Sequence, residues 1–459
     1  MIKKILTLNV SKFSIKFCRL FQLGGTSLPG GIASKMYPDI LKELSKDFTT
    51  IMVTGTNGKT TTTKIIAKIL ELNNIKYITN KSGANLLHGI TTTFIENSSP
   101  DGTYDRKTAL IEVDEAAFKV VTQYLKPDYL VVTNFFRDQL DRYGELYTTL
   151  NRVSDGIKNS PDTKLILNAD DSLCASLAKN NSNKTLFYGL RKNAYKNTDK
   201  IINSDAMFCI FCKTKYDYSY NVYGHLGGFS CPKCNYSRPD TQITCSLVSE
   251  LNSSHSNIDI EIENKSYTSK INLPGLYNVY NALSAIALNH ILNLPVEKSI
   301  EALSSFESGF GRMETIKFED KLIKVILVKN PTGFNQVLNY LLTEENNLEI
   351  AFIINDKIAD GRDISWLWDV DFEKLESIQD KISNLYTSGI RAEDMSVRLK
   401  YAGIYTDKIS QINTHSQLID TGLKNTKPQN TFYILPTYTA MLEIRKILKN
   451  RFNLKEFWK

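Results

Sequence analysis

With 459 residues the chain is long enough for two or three domains, and its composition, 42% hydrophobic and 23% charged, is that of a globular protein. A net charge of +7 permits an anionic substrate or a membrane surface, but no basic stripe with interleaved aromatics is present, which argues against nucleic acid. No apolar run reaches the ~18 residues of a membrane-spanning helix.

Residues 1–48 read as a helical segment. Met1 to Val10 faintly resemble the start of a signal peptide, but the apolar run is broken by Asn9 and, further on, by Ser11, Lys12 and Lys16, and no small-residue cleavage site follows cleanly. The segment therefore reads as a helix of amphipathic character in the mature chain. The Gly- and Pro-rich run 24–31 is expected to be a loop, and its composition admits a substrate-facing turn or a plain connector.

Val53-Thr54-Gly55-Thr56-Asn57-Gly58-Lys59-Thr60-Thr61 follows a short β-prone run and precedes a helix with apolar residues on one face. Strand, Gly-rich turn and helix make a phosphate-binding loop, because backbone N–H groups and the helix dipole converge on an anion. Gly55 and Gly58 allow close approach of the backbone, Lys59 reaches the β and γ oxygens, and the Thr60 hydroxyl sits on magnesium. Val53 stands where the commoner version of this loop has its first glycine. A tight turn with a surface lysine is the plainer alternative, and the G-K-T-T context argues against it.

From Thr49 to about Gly189, β-prone and helical runs alternate. The strands 76–79, 109–113, 129–134 and 165–168 are almost continuously apolar, which suits a doubly wound α/β domain with a parallel sheet covered on both faces. Ligands of such sheets lie at the carboxyl ends of the strands. Polar residues gather there: Glu112, Asp114 and Glu115; Asn134, Arg137, Asp138 and Asp141; Asn168, Asp170 and Asp171. Glu112 is the first choice for a magnesium carboxylate near Thr60, and a general base can come from the same set.

Cys209-x-x-Cys212 and Cys231-x-x-Cys234 supply two knuckles, whose four thiolates complete a tetrahedral, structural zinc site in a ribbon at about 203–240. His225 between them reads as a bystander. Cysteines in metal spacing also point to a reducing compartment.

Asn278 and Asn281 share a helical face, where side-chain amides can read a purine edge. Arg312, in a glycine-flanked turn, can clamp phosphate or stand as a surface charge. From Ile316 a second α/β unit begins, with strands at 322–328 and 349–354 and an acid-rich loop at 355–363. Asp356 is expected at the carboxyl end of a strand with its side chain free to act, or else as a loop cap.

The loop 55–61, Glu112, Thr133-Asn134 with Asp138-Gln139-Leu140-Asp141-Arg142, Asn278/Asn281 and Gly311-Arg312-Met313-Glu314 resemble the Mur ligase family in their order. The resemblance covers nearly the whole chain. The ribbon, the 355–363 loop and Leu435-Pro436-Thr437-Tyr438-Thr439-Ala440 resemble its MurT-type branch, the synthetase subunits of lipid II isoglutaminyl synthases. The resemblance implies a helical segment at 1–48, a central ATP-binding domain at 49–314 carrying the ribbon, and a C-terminal α/β domain at 315–459. It implies ATP-dependent amidation of the D-glutamate α-carboxylate of lipid II, with Mg2+, structural Zn2+ and ammonia from a separate GatD-like glutaminase, at the inner face of the cytoplasmic membrane. Asp356 would then orient the partner's histidine or serve the synthetase site. Peptide-adding members carry a metal-holding histidine where Gln139 stands, so the number of magnesium ions stays open. An amino-acid-adding Mur or folylpolyglutamate-type ligase is the nearest rival, and a nucleotide switch or zinc-ribbon binding module the more distant one.

Overall fold

Residues 50–54 are buried without interruption, as a strand covered on both faces must be. Ile51 and Val53 pack into one apolar core and Met52 into another on the opposite face. The computed structural model describes residues 2–21, 27–80, 83–138, 146–179, 181–195, 205–252, 254–306 and 312–454. Gln139, Leu140, Asp141 and Arg142 lie outside the described residues.

Among the described residues the first sheet has nine strands, in the order β11-β10-β9-β6-β5-β4-β1-β3-β2. β1 (Thr49–Thr54), β2 (Tyr77–Thr79), β3 (Thr108–Glu112), β4 (Tyr129–Val132), β5 (Lys164–Asn168) and β6 (Thr185–Leu190) are parallel. The hairpin β7 (Asp217–Tyr223) and β8 (Leu226–Ser230) stands outside this sheet. β9 (Ile243–Leu251) joins β6 in parallel, and β10 (Ser256–Ile262) and β11 (Lys265–Ile271) continue antiparallel. The strands expected to be parallel, from β1 to β5, are parallel, and β10 and β11, which lie beyond the stretch read as parallel, make the sheet a mixed one. The reason is visible in β10, where buried and half-buried residues alternate, so only one face needs an apolar cover.

One face of this sheet carries α4 (Lys59–Leu72), α9 (Leu276–Ile291) and α10 (Val296–Ser304). The other carries α1 (Ile2–Leu20), α2 (Leu28–Met36), α3 (Ile40–Ser45), α5 (Leu87–Asn97), α6 (Phe118–Val121), α7 (Leu146–Lys158) and α8 (Ser172–Lys179). Part of the expected 24–31 loop is instead the start of α2, with Pro29 in its first turn. A side chain at Gly30 would place Cβ 1.9 Å from the His88 carbonyl oxygen, so glycine is what lets α2 reach α5. Among the described residues no helix is long and apolar enough to cross a membrane.

The second sheet runs β12-β13-β17-β14-β15-β16. The hairpin of β12 (Arg312–Phe318) and β13 (Lys321–Ile326) leads into parallel β14 (Leu348–Ile353), β15 (Ile382–Ser388), β16 (Ile409–Gln411) and β17 (Thr431–Pro436). Around it pack α11 (Pro331–Leu342), α12 (Ala392–Tyr401), α13 (His415–Asn425) and α14 (Tyr438–Phe452).

Candidate active site

The loop after β1 is shaped by what surrounds it. Gly55 has φ 121°, and a Cβ there would lie 2.3 Å from the Thr133 hydroxyl; Gly58 has φ 85°, and its Cβ would lie 2.0 Å from Asn281 Oδ1. Both positions combine a left-handed backbone with a close neighbour, so only glycine fits. The loop is tied to the end of β4. Asn57 N–H donates to Asn134 Oδ1 at 2.9 Å, and the Thr133 hydroxyl donates to Asn57 O at 2.7 Å. Phe136 N–H donates to the Thr56 hydroxyl at 3.2 Å.

Lys59 opens α4 and is buried, with Nζ 2.7 Å from Glu115 Oε2 and also donating to Gly55 O. Burial opposes its charge, but Glu115, with Asp114 and Glu112 behind it, outweighs that and holds the ammonium above its ordinary pKa. Glu115, one of the strand-end acids, is thus the direct partner of Lys59. Glu112 is buried at the end of β3, close enough to act on Lys59 through its charge.

Thr60 and Thr61 line a cleft of about 1020 Å³, part of it open to solvent, between the two sheets. Asn278 and Asn281 line it from α9, but their amides are engaged with the protein. Asn278 donates to Pro274 O at 2.7 Å and accepts from Asn281 at 3.0 Å. Arg312 opens β12, where it pairs with Ile326 of β13, and its neighbour Met313 lines the cleft.

The facing wall comes from Lys329, Asn330, Thr332 and Gly333 at the start of α11, which sequence reasoning missed. Asn330 caps α11 by accepting from Gly333 N–H at 2.8 Å and donates to Asn57 Oδ1 at 3.1 Å. Lys329 Nζ lies 2.6 Å from Asp138 Oδ2. Two helix N-termini, those of α4 and α11, therefore open on one cleft, an arrangement that favours an anion. Asn330-Pro331 before a helical pattern was the available signal.

Asp170 and Asp171, expected as possible bases, are fully buried and saturated. Asp170 accepts from Leu190 N–H at 2.8 Å, Arg238 Nε at 2.6 Å and the Tyr280 hydroxyl at 2.6 Å. Asp171 accepts from Phe135 N–H at 2.7 Å and from Leu173 N–H at 2.9 Å, and faces His225 Nε2 at 3.2 Å. They anchor the ribbon, and full burial keeps both from a substrate that a general base must reach. His225 is no zinc ligand, but it does bridge the ribbon to the end of β5.

The four sulfurs of Cys209, Cys212, Cys231 and Cys234 all lie within 4.8 Å of one another. A tetrahedral site with Zn–S bonds of about 2.3 Å needs sulfurs about 3.8 Å apart, so the residues fit zinc. The geometry leaves no open coordination position.

Asp356 does follow β14, but its side chain is not free: Arg391 Nη2 lies 2.6 Å and Nε 2.9 Å from its Oδ2. Nor is it the loop cap. Asn355 donates to the Thr439 hydroxyl at 3.0 Å and accepts from Ile390 N–H at 3.0 Å, and Asp360 accepts from Thr439 N–H at 2.7 Å. Asp356 does not line the Lys59 cleft; it borders a shallow surface with Lys357, Ile358, Ala359 and Arg362.

The Mur ligase middle domain family matches residues 53–289 and the MurT ligase C-terminal family residues 327–441. The lipid II isoglutaminyl synthase (glutamine-hydrolyzing) subunit MurT of Streptococcus pneumoniae is 35% identical, over 94% of this chain and 94% of its own length. That of Staphylococcus aureus is 34% identical, over 97% and 98%. The chain belongs to the MurT group of the Mur ligase family. A pseudomurein peptide ligase type C from Methanothermus fervidus shares the fold, with a TM-score of 0.66 at 22% identity over 90% of this chain and 81% of that one. In this MurT-group protein the β1–α4 loop stands opposite α11, and the four-cysteine ribbon rests on the acids that end β5.

Proposed function

We propose that this chain is the synthetase subunit of a lipid II isoglutaminyl synthase. It uses ATP to convert the D-glutamate α-carboxylate of the stem peptide to the amide, with ammonia from a GatD-like glutaminase. The full-length likeness to subunits of that name supports the reading, and the cleft between the two sheets gives it a place.

A carboxylate is a poor electrophile because its charge is shared by two equivalent oxygens. Transfer of the γ-phosphoryl to one of them yields an acyl phosphate and ADP. Ammonia then attacks the carbonyl carbon, phosphate leaves with the former carboxylate oxygen, and the nitrogen loses a proton. Lys59, the loop N–H groups of 55–61 and the α11 N-terminus neutralise the phosphates. Asn278 and Asn281 border the nucleotide, and Arg312 is assigned to phosphate. Thr60 and Glu112 would hold magnesium, which would supply positive charge against that of the phosphates. Zinc in the four-cysteine ribbon is structural.

Asp356 is assigned to the partner subunit. A Cys-His glutaminase needs a carboxylate to orient its imidazole. The separation of Asp356 from the Lys59 cleft, and its place on a shallow exposed surface, support that role over one in phosphoryl transfer. The substrate is lipid-linked, so the complex works at the inner face of the cytoplasmic membrane.

The test is mass spectrometry of lipid II incubated with ATP, Mg2+ and either ammonia or glutamine plus partner. Gain of one amide is expected. Addition of an amino acid, or no product with either nitrogen source, would refute the proposal.

A further inference from the structure

Helix α1 buries one face and turns an apolar face to solvent. Its buried residues Thr7, Leu8, Ser11, Ile15 and Cys18 follow helical spacing and settle on α2 and α5. On the opposite side Ile2, Leu6, Val10, Phe13, Phe17 and Leu20 succeed one another at steps of three or four. Ile2 is 84%, Phe13 70% and Leu20 77% exposed. At 1.5 Å per residue the stripe is ~27 Å long. A surface helix ordinarily carries polar residues on this side, and single exposed apolar residues need no explanation, but a continuous line of them does.

The charge on α1 is as one-sided as its exposed face. Ile2–Leu20 contains Lys3, Lys4, Lys12, Lys16 and Arg19 and no acid, although the whole chain is nearly balanced at 56 basic and 49 acidic residues. Lys3 and Lys16 are exposed and, in helical projection, border the stripe on its two sides. Aromatic and aliphatic side chains flanked by lysines are the pattern of a helix that lies in a membrane interface, with its apolar face among the acyl chains and its ammonium groups among anionic headgroups. A second copy would bring two all-basic helices together, and like charges would oppose that pairing.

We infer that α1 is a membrane-docking helix, seated by the Ile2–Leu20 stripe on a bilayer bearing anionic headgroups. The docking rests on α1 itself; that the same surface presents the substrate rests on the lipid-linked reading above. Flotation of the full chain, alone and with its partner subunit, tests it on phosphatidylcholine vesicles with and without phosphatidylglycerol and without lipid II. The wild-type protein is expected to float with the anionic vesicles and to bind neutral ones more weakly. Phe13→Ser with Phe17→Ser, and separately Lys3→Glu with Lys16→Glu, should each lower binding about tenfold or more. Circular dichroism and Tm should be unchanged, because these side chains are exposed. On a short-chain, water-soluble lipid II analogue both double variants should amidate like wild type, and on vesicle-embedded lipid II they should fall behind.

Failure of the wild type to float with anionic vesicles, or equal flotation of both double variants, would overturn the inference. So would a dimer that Phe13→Ser/Phe17→Ser dissolves, or loss of vesicle binding when the partner subunit is present. Those results would put a protein on the stripe. Vesicle binding by a chain that amidates neither substrate would sustain the docking and defeat the proposed reaction.

Discussion

Lys59 is a buried ammonium held by Glu115 and by the carbonyls of its own loop. Its charge is kept by neighbours that precede any substrate, so the site is ready for an anion before one arrives. Lys59→Ala should lower amidation by about 100-fold or more with both nitrogen sources; full activity in that variant would refute the loop assignment. Asp356 makes the opposite prediction. Asp356→Asn should reduce glutamine-driven amidation by on the order of 100-fold or more and leave ammonia-driven amidation near wild type. A parallel fall of both would return Asp356 to the synthetase site, and full activity of a folded, partner-bound variant would remove its role altogether.

Among the elements, the four-cysteine ribbon is joined to the β1–α4 loop by a short chain of contacts. His225 meets Asp171, Asp171 holds Phe135 N–H, and Phe136 N–H reaches the Thr56 hydroxyl. Metal analysis of the purified protein is expected to find zinc, and Cys209→Ser with Cys231→Ser should lose it and lower Tm. A zinc-free wild type of full stability would contradict the ribbon. His225→Gln should keep zinc yet raise the KM for ATP more than it lowers kcat. Burial works against the charged imidazole, but Asp171 prevails and raises its pKa above 6.5. The stabilisation from His225 is therefore complete below pH 6.5 and is lost as pH rises through the raised value. Tm measured across that range should fall more in wild type than in His225→Gln, and parallel curves would exclude the pair.

For the whole molecule, the two sheets meet across the cleft through Asn330 with Asn57, Lys329 with Asp138, and Arg137 with Asp369. Of these, Asn330 with Asn57 engages the loop itself. Asn330→Ala removes a helix cap, with a cost of about 1 kcal/mol, and also cuts the link to Asn57. ATP affinity should therefore fall while the four-cysteine ribbon keeps its metal. Isothermal titration with a non-hydrolysable ATP analogue measures this, and unchanged affinity would show that α11 does not shape the site.

Local chemistry made much of this protein legible from sequence. The turn 55–61 could be read because glycines, lysine and threonines at that spacing serve one backbone geometry. The ribbon could be read because two C-x-x-C knuckles specify a tetrahedron wherever they fold together. The strands β1, β3, β4 and β5 declared themselves by burial on both faces, which leaves a continuous apolar run. The place of β9–β11 did not, although β10 alternates apolar and polar residues, because the partner and direction of a strand are chosen at a distance. For the same reason sequence could gather the strand-end acids but not sort them. Asp170 and Asp171 became anchors, and Glu115 became the partner of Lys59, through neighbours from distant parts of the chain. In the second wall of the cleft, Asn330 lies 273 residues beyond Asn57, and only tertiary packing brings them together. What the chain determines by itself is which local shapes and ligand sets it can form; which carboxylate stays available, and which faces meet, is decided by packing, because burial and pairing are properties of neighbours in space.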